Sequence, residues 1–74
     1  MTLSDLSAGQ CAIIKSFSDE RLSLKLLEMG CLPGEKIRIE NIAPLGDPIA
    51  ISVSGYTLSM RKKEAATVVI SLEN

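Results

Sequence analysis

Residues Leu26–Glu40, LLEMGCLPGEKIRIE, contain the end of a helix, a tight turn and the start of a strand, and this stretch decides the fold. Upstream of it, the hydroxyl of Ser18 is placed to accept from the free N–H groups of a helix over Asp19–Met29. Gly30 suits the left-handed residue that follows a helix. Leu32–Glu35 carries proline second and glycine third, which predicts a type II turn.

Alternating apolar residues predict strands on both sides of this stretch. The predicted strands are Gln10–Ser16, Glu35–Ile42, Ile49–Ser54, a fourth with Tyr56, Leu58 and Met60 facing the core, and Thr67–Leu72. Ile42 is out of phase after Asn41, which predicts a bulge or the end of the strand. Leu3 and Leu6 predict a helical turn, Ala43–Pro48 a loop, and Arg61–Ala66 a short turn or one turn of 3₁₀ helix.

Five strands with one helix between the first and second predict a mainly β fold, a small SH3-like β-barrel that forms a single domain over 1–74. An OB-fold is the competing interpretation. It normally carries its helix between the third and fourth strands, where this sequence has no helical stretch. We therefore expect the SH3-like arrangement.

The composition excludes most catalytic functions. Among 74 residues there is no His and no Trp, with one Phe and one Tyr, while 46% of residues are hydrophobic. Without His, neither a Ser-His-Asp triad nor an imidazole metal ligand is possible. Two aromatic residues are too few for a platform that stacks the bases of single-stranded nucleic acid. We expect a protein that is not an enzyme and acts through its surface.

The charge distribution gives little support for a nucleic-acid or membrane partner. The net charge is −1, whereas proteins that bind duplexes normally carry a basic excess. The basic run Arg61–Lys63 is interpreted as a solvated turn, with phosphate contact as the weaker alternative. Because the apolar runs are short, we expect neither a signal peptide nor a membrane span.

The two cysteines, Cys11 and Cys31, match no recurrent metal-ligand spacing. We expect buried thiols of a cytoplasmic protein rather than a disulfide, and no cofactor. Binding of a metal by Cys11 or Cys31 is the weaker hypothesis.

The predicted helix is more apolar than one buried face requires. Its core stripe is predicted to contain Leu22, Leu26 and Met29, while Leu24 and Leu27 point the opposite way. Together with Leu45 in the predicted loop, these two leucines are candidate partner-binding residues. The alternative is that all three pack beneath the N-terminal segment or the loop. Lys25 and Glu28, three residues apart, predict a surface ion pair.

The sequence resembles the FeoA family, ferrous iron transport protein A. The resemblance is carried by LLEMGCLPGEKIRIE at Leu26–Glu40 and by APLGDPIAISVSGYTLSMRKKEA at Ala43–Ala65, and it spans nearly the whole chain. The residues that fit the family pattern are Gly30, Pro33, Gly34, Gly46, Pro48, Leu58, Arg61, Glu64 and Ala65.

The resemblance implies a small cytoplasmic protein that regulates or assembles FeoB, the membrane Fe(II) transporter with a GTPase domain. FeoB is then the expected partner, with no nucleic acid, no direct membrane insertion and the oligomeric state left open. The resemblance also extends to the SH3-like domain of DtxR-type repressors, so direct Fe(II) binding or metal sensing is the alternative. A third, weaker hypothesis is an RNA-binding SH3-like domain that uses Arg61–Lys63.

Overall fold

The computed structural model describes residues 1–73, which form five strands, two short helices and one 3₁₀ turn. The elements are the 3₁₀ turn Leu3–Asp5, β1 (Cys11–Phe17), α1 (Glu20–Glu28), β2 (Lys36–Ile42), β3 (Ile49–Val53), β4 (Tyr56–Met60), α2 (Lys62–Ala65) and β5 (Val68–Glu73). The strands make one antiparallel sheet in the order β4-β3-β2-β1-β5. The predicted mainly β class, with five strands and a helix after the first, is confirmed. At Arg61–Ala66, where the sequence predicted a short turn or one turn of 3₁₀ helix, the structure has the short α-helix α2.

The sheet is bent at two irregular positions. In β2 the register with β3 shifts between Ile39 and Asn41, which confirms the bulge predicted near Ile42. In β1 the register with β5 shifts between Ile14 and Ser16. Because an extra residue bends a strand and increases its twist, both bulges help the sheet to curl around its apolar face.

Alternate residues of the strands fill the core, as the sequence pattern predicts. The buried core consists of Leu3, Leu6, Ala12, Ile14, Leu26, Cys31, Ile37, Ile39, Ile49, Ile51, Val53, Met60, Ala65, Val68 and Ile70. The prediction for β4 is partly wrong, because Tyr56 is exposed while Leu58 is partly buried and Met60 is buried. Tyr56 has the core-facing phase but is the first residue after the β3–β4 turn.

Helix α1 begins one residue later than predicted, and Asp19 rather than Ser18 caps it. The Asp19 carboxylate accepts hydrogen bonds from the backbone N–H groups of Arg21 (2.9 Å) and Leu22 (3.2 Å). The hydroxyl of Ser18 is directed elsewhere, since it donates to the carbonyl of Thr67 at 3.3 Å, and the backbone N–H of Ser18 donates to the same carbonyl at 2.8 Å. That bond prolongs the pairing of β1 with β5, so Ser18 belongs to the strand side of the boundary.

The end of α1 and the turn after it follow the sequence prediction. Gly30 has φ 98°, and the N–H of Cys31 reaches back to the carbonyl of Leu26 at 3.0 Å. The N–H of Gly30 also donates to the carbonyl of Leu27, which completes a Schellman motif. In the following turn, Glu35 N–H donates to the Leu32 carbonyl at 3.0 Å and the third residue, glycine, has φ 92°.

We predict that Leu26→Ala lowers the free energy of unfolding by about 2–5 kcal/mol, because it leaves a cavity at a fully buried site. Leu24→Ala, on the same helix but 63% exposed, is the matched control and should change stability by less than about 0.5 kcal/mol. Chemical denaturation of both variants measures this difference. Equal losses of stability would contradict the assignment of Leu26 to the core.

Candidate partner-binding site

A buried carboxylate holds α2 against α1. Glu64 is only 4% exposed although it is charged. Its Oε2 accepts a hydrogen bond from Lys25 Nζ of α1 at 2.6 Å, and its Oε1 accepts from the backbone N–H of Arg61 at 2.8 Å. The second bond satisfies an N–H just before α2, in the manner of one half of a capping box. Glu64 therefore fixes both the start of α2 and its position beside α1.

The loop between β2 and β3 is attached to the start of α2. Asp47 Oδ1 accepts from the backbone N–H of Lys62, the first residue of α2, at 2.9 Å. Its Oδ2 lies 3.5 Å from Nε of Arg61. Asp47 thus does more than form a turn, because it caps a helix that lies far along the chain.

The ion pair and the backbone bond lower the pKa of Glu64. The hydrogen bond from Lys25 is the largest cause, the bond from the N–H of Arg61 is next, and burial opposes them. Hydrogen bonds to the ionised form stabilise it. The Glu64 carboxylate therefore stays charged at neutral pH, which keeps α2 in place.

The three candidate partner-binding leucines are all exposed. Leu24 and Leu27 lie on the outer side of α1, and Leu45 is 97% exposed in the β2–β3 loop. Within residues 1–73, neither the N-terminal segment nor the loop covers them, so the alternative of packing beneath those segments is wrong. Helix α2 links the two locations, because Glu64 joins it to α1 and Asp47 joins it to the loop. Their role as partner contacts stays a prediction.

The two cysteines lie in different surroundings. Cys31 is buried in the core, as predicted, and burial raises the pKa of its thiol. Cys11 is only half-buried and lines an open groove of about 350 Å³ together with Lys36, Arg38 and Ser52. Because the thiolate is the form that binds metals, the environment of Cys31 disfavours that role.

The described part of the chain contains neither a cluster of metal ligands nor a helix that could span a membrane. Across residues 1–73, no three side chains of His, Cys, Asp or Glu come together in an arrangement that would hold a metal ion. In the same range, no helix is both long enough and apolar enough to cross a membrane.

Comparison with known proteins gives the family. The sequence model of the FeoA domain matches residues 1–72, which is almost the whole chain. The chain belongs to the FeoA family. The resemblance noted in the sequence is thereby confirmed, and the family links this chain to ferrous iron transport.

Two relatives, one compared by sequence and one by structure, are similar to almost the whole chain. The Fe(2+) transport protein A/Fe(2+) transporter FeoB fusion protein of Porphyromonas gingivalis is 34% identical over 73 residues, which are 97% of this chain and 9% of that protein. The chain therefore spans about a tenth of the length of that relative. The FeoA-like protein of Clostridium acetobutylicum has a TM-score of 0.92 at 33% identity, covering 97% of this chain and 85% of that one.

The SH3-like architecture is confirmed by a further FeoA structure. FeoA of Stenotrophomonas maltophilia, a prokaryotic SH3 domain protein complexed with zinc, has a TM-score of 0.84 at 30% identity, covering 96% of this chain and 89% of that one. IdeR of T. acidophilum is only 19% identical, with a TM-score of 0.85 over 99% of this chain and 34% of its own. That likeness concerns the fold alone.

The FeoA motif residues Arg61 and Glu64 act here in the packing of α2, which the sequence analysis did not identify. The predicted pair of Lys25 with Glu28 is wrong, because Lys25 turns to Glu64, 39 residues away along the chain. The available signal was the spacing of Arg61 and Glu64, which resembles a helix start whose third residue is Glu. No sequence signal identified Lys25 as the partner.

We predict that Glu64→Gln lowers the free energy of unfolding by about 1 kcal/mol at neutral pH. Glutamine can still accept from the backbone of Arg61 but loses the ion pair, and the 60% exposure of the Lys25 side chain limits that loss through solvent screening.

The stability that Glu64 contributes depends on pH. Because folding lowers the pKa of Glu64, the extra stability is fully present above the ordinary glutamate pKa of about 4.3 and disappears as the pH falls through the lowered value. Denaturant unfolding of the unmodified chain and of Glu64→Gln, from neutral pH to below the glutamate pKa, measures this stability difference. The exposed Glu28→Gln variant is the control. If the difference in free energy of unfolding between the unmodified chain and Glu64→Gln stayed constant down to the lowest pH, the ionised Glu64 would not be its cause.

Proposed function

We propose that this FeoA protein is an accessory protein of ferrous iron uptake that works in the cytoplasm by contact with the cytosolic domain of a FeoB-like membrane transporter. Family membership supports the link to iron uptake. The Porphyromonas gingivalis relative carries both activities in one protein, transport protein A and the transporter FeoB. Two domains joined in one chain have a high effective concentration for each other, which suits partners that act together.

The observation that carries the proposal is the outer side of α1. Leu24 and Leu27 are exposed, while the neighbouring Leu26 is completely buried. Burial of Leu26 fixes the rotation of the helix, so the two exposed leucines are held in a defined direction. A rigid apolar surface on a helix is suited to a partner, because little conformational entropy is lost on binding.

The polar groups that the fold brings together support contact rather than catalysis. Glu64 and Asp47 use their oxygens to hold α2. In this arrangement they position a surface and do not activate a nucleophile. The proposed action on the transporter is therefore regulation or assembly, and not an enzymatic step.

We predict that Leu24→Glu weakens binding to the cytosolic domain of the FeoB-like transporter by about tenfold or more, because a buried leucine contributes about 1.5–3 kcal/mol and each 1.4 kcal/mol is tenfold in affinity. Calorimetric titration of that domain with the 74-residue chain measures the affinity. Fe(II) uptake by cells that carry the variant should fall in parallel.

The matched control is Leu72→Glu, the same substitution at a leucine that is 40% exposed. Leu72 pairs with Ala12 at the opposite end of β1 from the helix, so its substitution should leave binding unchanged. Circular dichroism must show that both variants are folded. A folded Leu24→Glu variant with normal binding and normal uptake would exclude the helix surface.

Direct Fe(II) binding is the second candidate function. It is supported by the half-buried Cys11 in an open groove and by the zinc in the Stenotrophomonas maltophilia relative. Anaerobic titration with Fe(II) tests it. On this hypothesis, one-to-one binding is saturable and is abolished by Cys11→Ser, whereas Cys31→Ser leaves it intact. Absence of saturable binding by the unmodified chain would exclude it.

A further inference from the structure

Leu45 is the most exposed apolar side chain among residues 1–73, and the loop that carries it is braced. The N–H of Gly46 donates to the carbonyl of Ala43 at 2.7 Å, and the N–H of Ala43 donates to the carbonyl of Pro48 at 3.1 Å. Asp47 then fastens the loop to α2. The leucine therefore projects from a fixed backbone, and its exposure does not come from a loose loop end.

One lysine lies beside this loop, and a second follows it directly in α2. The ammonium group of Lys62 is 3.9 Å from the position that a Cβ of Gly46 would occupy, so it lies beside the residue that follows Leu45. Lys63 is the next residue of α2 and is also exposed. Neither lysine forms an ion pair with any residue in 1–73, whereas Arg61 is already paired with Asp47. Leu45, Lys62 and Lys63 are called the loop patch below.

We propose that the loop patch inserts Leu45 into an apolar pocket with an acidic rim on a protein partner. The proposal rests on the proposed function, and the partner is the cytosolic domain of the transporter. The pocket would remove the leucine from water, while the two unpaired ammonium groups would meet carboxylates around it. This contact is separate from the helix surface of Leu24 and Leu27.

The composition of the patch favours a protein over the other partners that basic residues attract. Stable attachment of an interfacial segment to lipid requires an extended apolar face, and the patch offers one leucine. Binding of single-stranded RNA relies on aromatic stacking, and the patch has no aromatic side chain. A single fixed apolar anchor with charges at its edge is the arrangement found at protein interfaces.

Surface-based kinetics with the purified cytosolic domain of the transporter tests the proposal. Leu45→Ser should weaken binding by about tenfold, mainly through a faster dissociation rate. The double variant Lys62→Glu/Lys63→Glu should slow association by about tenfold at low salt, and the difference from the unmodified chain should narrow at about 0.5 M salt, where charges are screened.

The matched control for charge is Lys15→Glu, compared with the single variant Lys62→Glu, because it makes the same change of net charge at an exposed lysine of β1. Slower association in this control to the same extent would overturn the proposal, since the effect would then come from net charge alone. Two further probes are used separately: vesicles that contain phosphatidylserine, and a single-stranded RNA oligomer. Binding to either that is lost in Leu45→Ser would also overturn it.

The outcomes separate this inference from the proposed function. If the loop-patch variants bound with normal kinetics while Leu24→Glu still bound weakly, the binding role of the loop patch would be overturned and the proposed function would remain. No binding of the unmodified chain to the transporter domain would overturn the proposed function itself.

Discussion

The buried carboxylate of Glu64 is the interaction on which the arrangement of the surface depends. It receives one hydrogen bond from Lys25 of α1 and one from the backbone at the start of α2. A buried charge is stable only when such bonds replace its lost water. Since Asp47 caps the same helix from the β2–β3 loop, three elements that are distant in the chain are held in fixed relation.

This constraint explains how so short a chain presents defined surfaces. The apolar core accounts for the sheet and for one side of α1, and it includes Ala65 of the four-residue helix α2. The polar contacts of Glu64 and Asp47 join that helix to α1 and to the β2–β3 loop. As a consequence, Leu24 and Leu27 on one side and Leu45 on the other keep fixed positions while remaining in water. Rigid, exposed apolar groups suit the partner contact that is proposed for this chain.

Much of the fold could be predicted from local patterns. Alternation in Ile37 and Ile39 identified a half-buried strand, and the Gly30 and LPGE signals located the end of the helix and the turn. Local predictions failed where a residue from a distant segment of the chain supplies the hydrogen-bond partner. Ser18 was predicted to cap α1, but its backbone pairs with Thr67, and Lys25 was paired with a helical neighbour although it contacts Glu64.

The sequence by itself determined the strands, the turn, the excess of leucine on α1 and the family, because each depends on residues close together in the chain or on a motif read in order. The tertiary structure alone decided that Glu64 is buried against Lys25, that Asp47 caps α2, and that Lys62 lies beside the loop that carries Leu45. These contacts join residues up to 39 positions apart. Their formation depends on how the sheet curls, and no local periodicity records that curvature.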